Sequence, residues 1–265
     1  MGSSTWPAPS SSSPRHRFPD KHLIPPNRPI SYADYVTRIF DLYGQARGKR
    51  LVGEKTPGYV RSIPSLHGLW PEAKFVHLIR DGRDVFLSMK NWKRVYRSVG
   101  RFAAWTRDPL STSALWWKWD VERGHEAASL LGPDLYHELR YERLVSEPAQ
   151  ELAKLCAFLG LPYDEAMLGF HEGRTKTRPG LDAKKAWLPI TPGLRDWRTE
   201  MAAADVENFE AAVGGFLDDL GYERAFPNPS SEAMERAWET RRRFVRELGE
   251  RGFVKGTGPP EGPRS

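Results

Sequence analysis

Residues 74–92 constrain this chain more than any other stretch. Lys74-Phe75-Val76-His77-Leu78-Ile79 is a mostly apolar run of strand length. Such runs lie inside parallel sheets, covered on both faces. Arg80-Asp81-Gly82-Arg83-Asp84 breaks the run, and Val85 to Trp92 reads as a helix. In an open parallel sheet, ligands bind beyond the carboxyl ends of the strands, which is where Arg80 stands. A guanidinium there can grip a phosphate bidentately. Ser88, on the first turns of the next helix, would add a hydroxyl near the positive end of the helix dipole. The same residues also fit a surface pair of Arg80 and Asp81 with Ser88 a bystander, and spacing alone leaves both readings open.

Further strand and helix signals surround this unit. Residues 1–30 contain seven prolines, and six of the first thirteen residues are serine, so they read as a disordered tail. Ser31, with Asp34 three residues on, caps a helix whose apolar positions run from Tyr32 to Tyr43 and which Gly48 ends. Leu51-Val52-Gly53 reads as a short strand, and Thr56 and Pro57 suit N-cap and N1 of a second helix. A long helix is expected after Ser111 or Thr112, with Trp116, Trp117 and Trp119 as core. Leu135 to Tyr141 is a strand candidate, and a helix from Pro148 ends at Gly160. Residues 173–195 read as a loop, Asp205 to Leu220 as an amphipathic helix stopped by Gly221, and Ser231 to Arg251 as a charged helix. Strands alternating with helices give an α/β fold with a parallel sheet. The expected division is a tail at 1–30, an α/β domain at 31–225, and a charged helix and tail at 226–265.

Charge narrows the ligand. The net charge is 40 − 34 = +6. Residues 80–107 alone hold eight basic side chains (Arg80, Arg83, Lys90, Lys93, Arg94, Arg97, Arg101 and Arg107) against Asp81 and Asp84. A second basic window runs from Arg174 to Arg198. Concentrated positive charge points to a nucleotide, phosphate, sulfate or polyanion, against the blander reading of a solvated face. Nucleic acid is disfavoured, because no binding motif is recognisable and the aromatics fall on helix stripes. Cys156 is the single cysteine; it excludes an intramolecular disulfide and sits on an apolar helix stripe as a packing residue. The histidines lack metal-ligand spacing, so no metal is expected. No apolar run approaches the roughly 20 residues of a membrane span, and a soluble cytoplasmic protein is the default expectation.

Glu54-Lys55-Thr56-Pro57 is the second candidate site. A carboxylate beside a lysine in a basic cleft can serve as general base, with the lysine handling developing negative charge. An ordinary surface pair is the equal alternative for the tetrapeptide alone.

Four segments in series resemble the sulfotransferase family, whose members use 3′-phosphoadenosine 5′-phosphosulfate. They are Gly53-Glu54-Lys55-Thr56-Pro57-Gly58-Tyr59, the run from Phe75 to Met89, Leu139-Arg140-Tyr141-Glu142-Arg143-Leu144 with Pro148 and Phe158-Leu159-Gly160, and Gly193-Leu194-Arg195-Asp196-Trp197-Arg198. The resemblance covers about residues 50–222. It implies a P-loop-NTPase-like parallel sheet flanked by helices. By the same resemblance Arg80 and Ser88 hold the 3′-phosphate, and Tyr141 packs near the adenine. The segment ending at Trp197 closes over the 3′-phosphate, with Arg195, Arg198, Lys184 or Lys185 replacing the family's Arg-Lys-Gly. Glu54 matches the acidic position used as base in glycan-modifying and many bacterial members, and Lys55 would sit near the transferring sulfuryl group.

One departure stands out. The family begins with a strand and a loop of the form Gly-x-Pro-[Arg/Lys]-Ser-Gly-Thr-[Thr/Ser] that cradles the 5′-phosphosulfate, and residues 1–50 contain no match to it. The expected sheet is therefore missing its first, central strand, and the chain is either N-terminally incomplete or a diverged member, with at most trace transfer as given. The expected function is sulfuryl transfer to a hydroxyl or amine of a small molecule or glycan. The alternative is a non-catalytic protein that binds a nucleotide or an anionic glycan.

Overall fold

A computed structural model of the chain describes residues 29–90, 99–173 and 187–253. Two compact units are present, Met1–Lys55 and Thr56–Ser265. In the first, α1 (Tyr32–Gln45) starts at Ser31 as expected: the Ser31 hydroxyl accepts the Asp34 N–H at 3.1 Å and donates to the Asp34 carboxylate at 2.7 Å. Gly48, at φ 63°, turns the chain after the helix. Residues 51–53, expected as a strand, have no regular structure. A strand exists only through pairing, and the described part of this unit offers it no partner strand.

The second unit opens with a 3₁₀ turn (Pro57–Ser62) instead of an α-helix, followed by α2 (Ile63–Leu69). Then come β1 (Phe75–Ile79), α3 (Gly82–Lys90), α4 (Ala103–Arg107), α5 (Pro109–Leu131), β2 (Tyr136–Arg140), α6 (Tyr141–Ser146) and α7 (Pro148–Leu159). After these lie α8 (Trp197–Glu200), α9 (Ala203–Val213), α10 (Phe216–Asp219) and α11 (Ser231–Glu250). Among the described residues the sheet has two strands, paired in parallel from Phe75 opposite Tyr136 to Ile79 opposite Arg140. The α/β class with a parallel sheet holds, in a helix-rich form. Gly160 ends α7 in the left-handed conformation at φ 71°, and Gly214 divides the single helix expected over 205–220 into α9 and α10.

β1 departs from the expectation of two covered faces. Phe75, His77 and Ile79 are shielded, whereas Val76 and Leu78 are exposed. The shielded side meets α5 at Gly124, where any β-carbon would stand 2.2 Å from the His77 ring. The His77 Nδ1 lies 2.5 Å from the Tyr136 hydroxyl, and burial holds its imidazole neutral, with a pKa lowered to about 4.

Helix α5 is the centre of the core. Its N-cap is Asp108, not Ser111 or Thr112, because Pro109 fits N1 and the Asp108 carboxylate accepts the Ser111 N–H at 3.1 Å. Ser111 and Thr112 are therefore buried within the first turn. Trp116, Trp117 and Trp119 are each buried and pack with Phe102, Phe209, Phe216 and Phe244. Asp108 also accepts hydrogen bonds from Arg236 at 2.7 and 3.0 Å, which ties α11 to the start of α5. Glu247 of α11 accepts the Ala103 and Ala104 amides at 2.7 and 2.9 Å, capping α4.

The turn between β1 and α3 is fixed by a buried ionic network. Arg83 has no exposed surface. Its guanidinium donates to Asp81 at 2.7 and 3.0 Å, to Glu210 of α9 at 2.6 Å, and to the Glu223 carbonyl at 2.9 Å. Glu210 also accepts the Ala225 and Phe226 amides at 3.0 and 2.8 Å. The arginine counted from sequence as part of a ligand-binding basic window is thus fully matched inside the protein. Sequence shows Asp81 beside it but not Glu210, 127 positions away.

Two stability predictions follow from this geometry. A β-carbon at Gly82 would stand 2.5 Å from the Trp117 ring and 2.8 Å from Phe209. Gly82→Ala should therefore cost about 1–3 kcal/mol by overpacking, read as a lower urea midpoint at unchanged slope. Arg83→Met strands Asp81 and Glu210 as buried carboxylates and should cost about 3–5 kcal/mol; a midpoint within error of the parent's would refute the account of this network.

Candidate functional site

The parallel register builds the site. Ile79 is opposite Arg140, so the next residues, Arg80 and Tyr141, emerge side by side at the carboxyl end of the sheet. The Arg80 guanidinium carbon lies 4.3 Å from the centre of the Tyr141 ring, a cation–π contact that sets the plane of the fork. Arg80 Nη2 donates to Asp84 at 2.8 Å and, more weakly, to the Arg195 carbonyl at 3.4 Å. Its Nε is buried without a hydrogen-bond partner among the described residues. A buried donor left unmade costs free energy, and this one is suited to an anion.

A third segment lies against this pair. The Trp197 amide, at the start of α8, donates to the other Asp84 oxygen at 3.0 Å. Trp197 is buried, with the Arg83 guanidinium 3.6 Å and the Arg198 guanidinium 4.5 Å from its ring centre. Burial raises the Asp84 pKa even though Arg80 and the Trp197 amide oppose the shift.

The two strand ends are braced from behind by Glu142. One carboxylate oxygen accepts the Asp81 amide at 2.9 Å and the other accepts the Tyr222 hydroxyl at 3.1 Å. Burial and the negative Glu142 push the Tyr222 pKa up, so the phenol remains a donor. The Trp117 indole N–H donates to the Arg80 carbonyl at 3.0 Å and fixes the backbone at the same point.

Arg80, Tyr141 and Arg195 are thereby brought together. Arg198 lies three residues further on, exposed and paired with Glu223 at 3.0 Å. Ser88 is half-buried and is the seventh residue of α3, nearly two turns past its start, further from the positive helix end than its sequence position suggests. Glu54 and Lys55 are exposed and end the first compact unit. Lys184 and Lys185 lie outside the described residues, as do Lys93, Arg94 and Arg97. Among the described residues no group of three His, Cys, Asp or Glu side chains is placed to hold a metal.

Three residues without a role in the sequence reading shape the site, Asp84, Glu142 and Tyr222, and Trp197, read only as the end of a closing segment, joins them through its amide. Asp84 lies four positions after Arg80 and Glu142 directly after Tyr141, so nearness to a candidate residue was their only signal; their other partners, Trp197 for Asp84 and Asp81 and Tyr222 for Glu142, are distant in sequence. Tyr222 carried none, since it reaches Glu142 across 80 positions.

Several known proteins are similar to this chain in sequence or fold. The chain is 25% identical over 232 residues to the omega-hydroxy-beta-dihydromenaquinone-9 sulfotransferase Stf3 of Mycobacterium bovis, covering 77% of this chain and 54% of that protein. It is 28% identical over 220 residues to the nodulation protein NoeE of Sinorhizobium fredii, covering 72% and 50%. It thus spans about half the length of these relatives. The protein-tyrosine sulfotransferase of Drosophila melanogaster is 27% identical over 190 residues, covering 64% of this chain and 34% of that one. Among solved structures, the sulfotransferase domain of the Synechococcus PCC 7002 olefin synthase shares the fold, with a TM-score of 0.52 at 23% identity over 72% of this chain and 64% of that one. A sequence model described as the sulfotransferase family matches residues 8–165, beginning within the Ser/Pro-rich segment and ending beyond β2 and α7. By that match, this chain belongs to the sulfotransferase family.

Proposed function

We propose that this chain takes part in sulfuryl transfer from 3′-phosphoadenosine 5′-phosphosulfate to a hydroxyl or amine acceptor, and that the end of the β1–β2 sheet holds the 3′-phosphoadenosine portion. The observation that carries this reading is Arg80. It stands at a parallel strand's carboxyl end, oriented by Tyr141, with a buried Nε that lacks a partner among the described residues. In this reading Arg80 and Ser88 hold the 3′-phosphate, Tyr141 lies near the adenine, and Arg195 and Arg198 line the segment over the phosphate. The donor, when bound, supplies an activated sulfuryl group.

Glu54 is proposed to take the proton from the acceptor hydroxyl or amine. Lys55, next to it, is proposed to neutralise negative charge as it develops. Both are exposed. The acceptor class is a small molecule or glycan. A cytoplasmic setting belongs to this reading.

The test of the nucleotide site is calorimetric titration with adenosine 3′,5′-bisphosphate. Arg80→Ala should lose about 2–5 kcal/mol of binding, as expected for a buried charge-assisted contact. Arg101→Ala, in the same basic window but exposed, should bind like the parent. Equal losses would mean a diffuse polyanion surface and would overturn the reading.

Glu54 should matter to turnover and not to binding. In a form of the protein that transfers sulfate, Glu54→Gln should slow the reaction by roughly 10²-fold or more, with donor affinity unchanged or slightly tighter. Parental turnover in that variant would move the base elsewhere.

A further inference from the structure

Asp84 is an unexpected neighbour for an arginine that receives a phosphate. Both of its oxygens are engaged, one by Arg80 at 2.8 Å and the other by the Trp197 amide at 3.0 Å. Its side chain is only 13% exposed, so the negative charge is held in poorly hydrated surroundings mainly by the guanidinium it shares with the site. Arg80 is not saturated by this contact, because its Nε is buried and has no partner among the described residues. Tyr141 supports the guanidinium from its face, so the fork keeps its plane whichever anion meets its edge.

We propose that Asp84 is a displaceable stand-in for the nucleotide's 3′-phosphate. Without nucleotide it joins Arg80 to the Arg195–Trp197 segment through one carboxylate; when the phosphate arrives it yields Arg80 while keeping the Trp197 amide. The proposal rests on the reading that Arg80 holds a 3′-phosphate, and it adds a residue that sets how strongly and at what pH that phosphate is taken.

The surroundings of Asp84 dictate the sign. It faces Arg80 from the end of β1, Asp81 from the turn, and the Trp197 amide from α8. The Arg83 and Arg198 guanidinium groups lie against the Trp197 ring, and Arg83 is matched by Asp81 and Glu210. Once Arg80 turns to a phosphate, Asp84 loses its counter-charge and gains an anionic neighbour. Its carboxylate then takes one proton from solvent and becomes the neutral acid, still accepting from the Trp197 amide. A carboxyl that binds a proton on complex formation makes affinity rise as pH falls through the interval between its free and bound pKa values.

The experiment is calorimetry of adenosine 3′,5′-bisphosphate binding to residues 1–265, in buffers of different ionisation enthalpy, for the parent and Asp84→Asn. The asparagine carbonyl keeps an acceptor for Trp197 but removes the competing charge. We expect Asp84→Asn to bind about three- to tenfold tighter, the range of a part-buried ion pair no longer in competition, and to take up fewer protons than the parent. Adenosine 5′-monophosphate, which lacks the 3′-phosphate, should bind both equally. Asp84→Ser also removes the charge and serves if the asparagine variant does not fold. Unchanged or weaker bisphosphate binding with equal proton uptake would overturn the proposal and make Asp84 a fixed support for Arg80. Failure of the parent to bind the bisphosphate would instead overturn the nucleotide reading, and this proposal with it.

Discussion

Arg83 holds a full positive charge where water does not reach, and the rest of the site depends on how that charge is matched. A buried guanidinium is tolerated only when opposite charges and acceptors surround it. Asp81, Glu210 and the Glu223 carbonyl meet that demand from three different parts of the chain. Because guanidinium geometry is planar and fixed, each partner's position is specified closely. The turn after β1, helix α9 and the segment after α10 are locked together, and Trp197 is laid against the same cation. Breaking one contact would strand the others, so the network behaves as a unit.

The locked turn has a consequence for Arg80. With Asp81 held from one side by Arg83 and from the other by Glu142, and the Arg80 carbonyl held by Trp117, the backbone of the turn is fixed on three sides. Arg80 then presents its guanidinium at the strand end from a fixed backbone, with Asp84 and the Tyr141 ring as its side-chain contacts. The two adjacent arginines thus have opposite duties. Arg83 is matched and structural, whereas Arg80 is partly matched and faces the region where an anion is proposed to bind. Preorganisation of this kind makes a charged contact effective, since little rearrangement is needed when the ligand arrives.

Much of the frame was legible from local chemistry. The apolar run before Arg80 became β1, the Ser31–Asp34 pair became a working cap, and Gly160 became a left-handed helix end. Each depends on residues within a few positions of one another. The errors have a common cause as well. Residues 51–53 had the composition of a strand but no described partner to pair with, and Ser111 and Thr112 resembled caps until Asp108 and Pro109 filled those roles. Val76 and Leu78 had the pattern of a doubly covered strand, yet one side of β1 is open.

The sequence by itself determined the strand–turn–helix unit, the family, and which residues stand at the carboxyl ends of the strands, because these follow from propensity, periodicity and motif order over short spans. Tertiary structure alone decided which charges are available. In sequence, Arg80 and Arg83 are two cations in one basic window. In the fold, Glu210 arrives from 127 positions away to neutralise Arg83, while Tyr141, set beside Arg80 by the strand register, orients Arg80 and leaves its Nε unmatched among the described residues. The physical reason is that the Coulomb interaction and its desolvation cost depend on distance through space and on burial, and neither quantity exists until the chain has folded.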